Sequence, residues 1–159
     1  MSIEQINQLR QTGQHEAARQ LAIQLIADHP DDAQLQYATA CVHDFLGYES
    51  QAVDFYRAAL AGELPQPMRR EALLGIGSTL RVLGQYDDAR RIFDHALHEF
   101  PDGNEFKVFL AMTLHNQGQH QQAVQLLLQV IAHTSDDPNI QPYRRAIELY
   151  AQDVTKIWP

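Results

Sequence analysis

The sequence has little of three features that would point to particular function classes: cysteine, clustered positive charge and long apolar runs. Its single cysteine, Cys41, cannot form an internal disulfide, which favours a reducing compartment. The 12 basic and 20 acidic residues give a net charge of −8, and scattered basic pairs argue against nucleic-acid binding. No apolar run approaches the ~20 residues that span a membrane, and the opening residues lack the basic and apolar regions of a signal peptide. We therefore expect a cytoplasmic protein with neither a nucleic-acid nor a membrane partner.

What the sequence does contain is a fourfold signature of a glycine followed five positions later by an alanine. After each alanine, apolar residues fall at +3, +4, +7 and +8, which describes one face of a helix. The glycines are 34, 37 and 34 positions apart, a period typical of stacked helical repeats. A glycine after a helix supplies the left-handed residue that reverses the chain into a second helix. The four signatures begin at Gly13, Gly47, Gly84 and Gly118.

These signatures divide the chain, interpreted as one domain over 1–159, into repeats of approximately 1–32, 33–66, 70–103 and 104–137. The segment from Gly62 to Pro67 carries two prolines and accounts for the wider spacing, as a loop insertion or as a bend between units. A last helix is predicted from about Pro142 to Ile157, within a capping region of about 140–158. We interpret it as a cap, since an array must cover the apolar face of its last unit; a partner-binding or membrane-surface helix is the alternative.

The small residues at the expected helix contacts resemble those of tetratricopeptide repeats, which are helix–turn–helix units of 34 residues. The resemblance implies an all-α, right-handed α-solenoid of such repeats with a C-terminal capping helix. It also implies a scaffold whose first helices, the A helices, line a concave groove for a peptide or partner helix. A softer likeness, through Leu74–Arg81 and Tyr143–Tyr150, is to small bacterial proteins of this class and carries no activity. The matching positions are Ala40, Gly77 and Ala111 in the A helices, and Ala18, Ala52, Ala89 and Ala123 in the second, or B, helices.

The resemblance places a mixture of aromatic, aliphatic and charged residues in the groove. Such a mixture suits a mostly apolar partner segment with a few polar anchors. Some family members grip a C-terminal carboxylate, but only Asn7 matches that pattern, so this mode is disfavoured. The expected partner-binding residues are Tyr37, Cys41, Asp44, Phe45, Leu74, Ser78, Arg81, Val82, Glu105, Val108, Met112 and His115.

Other constellations predict no catalytic, cofactor or metal site. The Gly75–Gly77 pair lies inside a helical pattern, whereas a dinucleotide loop follows a strand. His95 and His98 are helical neighbours without a third ligand implied by the spacing, and residues two apart on a helix, such as Cys41 and His43, point in different directions. We therefore expect a non-enzymatic adaptor that binds a protein or peptide. The alternative is a homodimer formed through Ile157, Trp158 or the first helix.

Overall fold

The computed structural model describes residues 2–159, and these form nine α-helices, one 3-10 helix and no strand. The all-helical prediction is confirmed. Met1, which the predicted first repeat includes, lies outside the described residues. In chain order the helices are α1 (Ile3–Gln11), α2 (His15–Asp28), α3 (Ala33–Phe45), α4 (Glu49–Ala61), α5 (Gln66–Val82), α6 (Tyr86–Glu99), α7 (Asn104–Asn116), α8 (His120–Thr134), the 3-10 helix (Gln141–Tyr143) and α9 (Arg144–Tyr150).

Each turn from an A helix to its B helix is made at a signature glycine. The four glycines have φ angles between 76° and 81°, the left-handed region that other residues adopt only with strain. At the first turn the N–H of Gly13 donates to the carbonyl of Arg10 at 3.1 Å, and the N–H of Gln14 donates to that of Leu9 at 2.8 Å. The same two bonds recur at the other three glycines. This pattern is the Schellman motif, which satisfies the last carbonyls of a helix.

The wider spacing between the second and third signatures comes from a longer helix. Four residues separate α4 from α5, as they also separate α2 from α3 and α6 from α7. Helix α5 has 17 residues, whereas α3 and α7 have 13 each. The predicted loop insertion at Gly62–Pro67 is therefore wrong, and the extra residues add about one turn to α5. Pro67 does not prevent this because it lies in the first turn, where its missing N–H has no helical partner.

The chain divides into a unit that ends at Ile92 and a unit that begins at Phe93, with the boundary inside α6. In the first unit each of α1 to α4 packs against the next helix, and α3 also contacts both α1 and α5. The A helices α1, α3 and α5 therefore lie side by side, and we call the surface that they share the A-helix face. In the second unit α7 packs on α8 and α8 packs on α9. The assignment of one domain stays a prediction.

The alanines of the signature are core residues. Ala18, Ala52 and Ala89 are fully buried and Ala123 is 5% exposed, because two helices that pack closely leave no room for a larger side chain. The first repeat, whose sequence matches the motif least well, still buries Ile6 completely. The first helix is therefore packed into the core of its unit.

The last helix is shorter than predicted. Helix α9 ends at Tyr150, not near Ile157, and turns and irregular backbone follow it. The Asp153 carboxylate accepts hydrogen bonds from the N–H of Thr155 at 2.9 Å and from its hydroxyl at 2.6 Å. Such local side-chain bonds to the backbone favour a turn over a continuing helix. Ala151 is nevertheless fully buried, so the segment after α9 stays packed on its unit.

Candidate functional site

The twelve predicted groove residues all lie on A helices, and none of them is buried. Phe45 and Val82, each two residues before its turn glycine, are 64% and 61% exposed. Apolar side chains this exposed cost free energy in water, and their occurrence at the same position of two neighbouring repeats favours a binding surface. Eight of the twelve belong to the first unit, on α3 and α5, and the four on α7 belong to the second.

A tyrosine from a B helix forms the floor of the A-helix face. Tyr56 on α4 is 3% exposed, and its hydroxyl donates to Asp44 Oδ2 at 3.3 Å. The same hydroxyl lies 3.9 Å from Cys41 Sγ. Position 75 has no side chain, and a Cβ there would lie 2.6 Å from Tyr56 Cζ. Gly75 therefore provides the space through which this ring reaches the A-helix face.

Consecutive repeats are also linked directly on this face. The Tyr37 hydroxyl on α3 donates to Glu71 Oε2 on α5 at 2.8 Å. Burial raises the pKa of both Tyr37 and Tyr56. Both phenols are therefore protonated at neutral pH and act as the donors in these bonds.

Asp44 is the half-buried carboxylate of the face. Burial raises its pKa, and the hydrogen bond from the Tyr56 hydroxyl acts in the opposite direction. Because this donor comes from α4, the bond connects the carboxylate on α3 to the neighbouring B helix. Asp44 is therefore held in place by packing and by this hydrogen bond.

His43 does not act as a base for Cys41 in this arrangement. His43 is 2% exposed, its Nδ1 lies 2.8 Å from the Thr39 carbonyl oxygen, and its ring packs 4.8 Å from that of Phe55. Burial raises the pKa of the Cys41 thiol, which favours the unreactive protonated form. The two side chains therefore do not form a nucleophile–base pair.

A cavity of about 390 Å³ opens at the α1 end of the A-helix face. Arg10 and His15 in its wall are half-buried, and the ring of Phe45 stacks on that of His15 at a centroid distance of 4.0 Å. Arg10 Nη1 donates to Asn7 Oδ1 at 3.5 Å. Gln11 completes the wall, which contains no carboxylate.

The sequence prediction missed this wall because it assigned no groove residues to the first repeat. The spacing to the turn glycine would have found two of them. Arg10 lies three residues before Gly13, as Asp44 does before Gly47, and Gln11 occupies the position of Phe45. Tyr56 was missed for another reason, since it comes from a B helix and reaches the face only because residue 75 is glycine.

Comparison with known proteins agrees with the packing of these helices. The profile of the family described as Tetratrico peptide repeat matches residues 33–154. The chain belongs to the tetratricopeptide repeat family. Proteins of this family generally mediate protein–protein interactions and are generally non-catalytic.

A curated relative of this tetratricopeptide repeat chain is the "Probable biofilm formation methyltransferase WspC" of Pseudomonas aeruginosa. The two are 33% identical over 93 residues, which cover 58% of this chain and 21% of the relative. The chain therefore spans about a fifth of that protein's length, and the likeness concerns a repeat segment. The methyltransferase activity in that name is stated for the Pseudomonas protein.

The second unit of the repeat protein carries a pair of histidines at its A-to-B turn. His115 Nδ1 and His120 Nδ1 are 2.9 Å apart, a distance that fits a hydrogen bond between a protonated and an unprotonated ring nitrogen. His95 Nε2 lies 3.5 Å from Glu99 Oε2. Among residues 2–159 no three potential metal ligands converge.

A second exposed apolar surface lies on α8 and the residues that follow it. Val124 and Ile131 are 47% and 40% exposed, and Ile157 is 91% exposed. The Trp158 ring packs 5.9 Å from that of Tyr150 and lies under the Lys156 ammonium at 4.1 Å. Within the described part of the chain, no helix combines the length and apolar character needed to cross a bilayer.

Proposed function

We propose that this tetratricopeptide repeat chain is a non-catalytic cytoplasmic adaptor that binds a peptide or partner segment on its A helices. The exposure of Phe45 and Val82 at equivalent repeat positions carries the proposal. The bonds from Tyr37 to Glu71 and from Tyr56 to Asp44 support it, because they hold neighbouring helices in a fixed arrangement before a partner arrives. Burial keeps the Cys41 thiol protonated and His43 contacts the Thr39 carbonyl instead of the thiol, which favours binding over catalysis.

The proposal is tested by affinity capture from native lysate with matched variants. The groove variant carries Phe45→Ala and Val82→Ala, and the control variant carries Val124→Ala and Ile131→Ala on α8. All four side chains are at least 40% exposed, so both variants should fold as the wild type does. A partner retained by the wild type and the control, but lost by the groove variant, would support binding on the A helices. Retention by all three proteins would contradict it.

The second candidate is self-association through the apolar surface around α8. The 91% exposure of Ile157 and the exposed side chains of Val124 and Ile131 favour it. Sedimentation equilibrium would compare the wild type with an Ile131→Asp, Ile157→Asp variant over a range of concentrations. A wild-type dimer that becomes monomeric in the variant would support this candidate, whereas a monomer in both would exclude it.

A further inference from the structure

We propose that the cavity at the α1 end of the A-helix face selects partner segments in which an aspartate or glutamate adjoins an aromatic residue. This inference rests on the proposed function and adds the chemistry of the partner. The site consists of Asn7, Arg10, Gln11, His15 and Phe45.

The donors of the cavity are available for a carboxylate. Arg10 forms no ion pair among residues 2–159, and the one hydrogen bond of its guanidinium there is the 3.5 Å bond to Asn7 Oδ1. Because the Asn7 oxygen faces the guanidinium, the Asn7 amide N–H groups have no acceptor within the described chain. Guanidinium and amide together offer several N–H donors, which match an anionic oxygen ligand.

The local charge is opposite to that of the whole protein. The chain carries a net charge of −8, yet the cavity wall contains an arginine and no acidic side chain. A positive site in an acidic protein attracts acidic segments, and the surrounding carboxylates repel them elsewhere. With one guanidinium in the wall, the complementary group is a single side-chain carboxylate.

Phe45 provides the aromatic half of the preference. One side of its ring stacks on His15, and the residue remains 64% exposed. An aromatic side chain adjacent to the bound carboxylate would pack on this exposed surface. The volume suffices, because a cavity of about 150 Å³ holds a benzene molecule and this one measures about 390 Å³.

The test is a selection of random dodecapeptides displayed on phage, performed on the whole protein and on an Arg10→Glu variant. Selected peptides, resynthesised with acetylated and amidated ends, are then measured by fluorescence anisotropy. The wild type is expected to enrich an acidic residue beside an aromatic one, and Arg10→Glu to enrich a basic residue in its place. Arg10→Ala should weaken the acidic peptides about tenfold, as expected for losing a charge-assisted hydrogen bond. Blocked ends remove the terminal carboxylate as an alternative ligand.

Arg57→Glu is the matched control, since Arg57 is an exposed arginine on the B helix α4. It should leave the affinities for the selected peptides unchanged, and circular dichroism establishes that both charge-reversal variants are folded. Peptides that lack an acidic preference, or bind Arg10→Glu equally well, would overturn the inference. If such peptides no longer bind the Phe45→Ala variant, the proposed function is supported and only the inference about acidic segments fails. If neither Phe45→Ala nor Val82→Ala weakens any selected peptide, both proposals fail.

Discussion

Replacing Gly75 by alanine tests the contact that brings Tyr56 to the A-helix face. In an exposed helix this change would stabilise the protein by about 1 kcal/mol, because glycine is the poorer helix former. Here the new Cβ would lie 2.6 Å from Tyr56 Cζ and Oη and 2.8 Å from Cε1. The ring has little freedom to retreat, since it is 3% exposed and its hydroxyl is bonded to Asp44. We therefore expect Gly75→Ala to destabilise the protein.

The magnitude follows from two opposing terms. Forcing an extra methyl group into packed surroundings costs about 1–3 kcal/mol, and displacing the Tyr56 hydroxyl from Asp44 costs about 1 kcal/mol more. After subtraction of the helix-propensity gain of about 1 kcal/mol, the net loss of unfolding free energy is about 1–3 kcal/mol. Urea-induced unfolding, followed by circular dichroism at 222 nm, measures it.

A double-mutant cycle with Tyr56→Leu separates packing from propensity. Leucine lacks the three atoms, Cε1, Cζ and Oη, that the new Cβ would contact. In the Tyr56→Leu background Gly75→Ala should therefore become neutral or stabilising, so the sign of its effect reverses. If Gly75→Ala stabilised the wild type, or had the same effect in both backgrounds, the assignment of Gly75 to this contact would be refuted.

Three further predictions concern other features of the first unit. Burial lowers the pKa of His43 below its ordinary value of 6.5, so the unfolded state takes up more protons and stability should fall as the pH drops below about 6.5. His43→Leu should flatten the pH dependence of the urea midpoint in that range relative to the wild type. Equal slopes in the two proteins would show that His43 is not the cause of the pH dependence. Gly84→Ala should lower the free energy of unfolding by about 1–2 kcal/mol through backbone strain alone, because nothing lies within 4 Å of its Cβ position. Thermal unfolding should show a smaller loss of stability for Gly84→Asn. Equal losses for the two variants would count against strain as the cause. Because burial raises the pKa of Cys41, iodoacetamide at pH 8 should alkylate the folded protein more slowly than the urea-unfolded protein, and equal rates would refute this.

The repeat architecture was predictable because each signature residue has a local physical role. The glycines must adopt positive φ, a requirement of the turn that does not depend on neighbouring repeats. The alanines must be small where two helices touch, so a fixed spacing from each glycine also identified the core. Both requirements can therefore be inferred directly from the sequence.

The lengths of the variable elements were less predictable. Two prolines at Pro65 and Pro67 indicated a loop, yet a proline in a first turn is compatible with a helix, and α5 begins at Gln66. At the other end, the apolar stripe through Val154 and Ile157 indicated a helix that the turn at Asp153 replaces. In both places a local backbone preference determined where the helix begins or ends, and the apolar periodicity does not indicate that preference.

In the candidate site as well, the positions of the side chains were predictable from the sequence, whereas their chemical surroundings were not. The family resemblance assigned residues such as Phe45 and Val82 to the groove side of the A helices, and both side chains are exposed. The spacing could not reveal that Arg10 lacks a partner carboxylate among the described residues, because an ion pair depends on side-chain positions in three dimensions. The same repeat position holds arginine in the first and third repeats, aspartate in the second and histidine in the fourth. In the proposed function, the repeated scaffold fixes where partner-facing side chains lie, and partner selectivity comes from the differences between repeats. The guanidinium of Arg10, which has no partner carboxylate among the described residues, is the sharpest of these differences in the first unit.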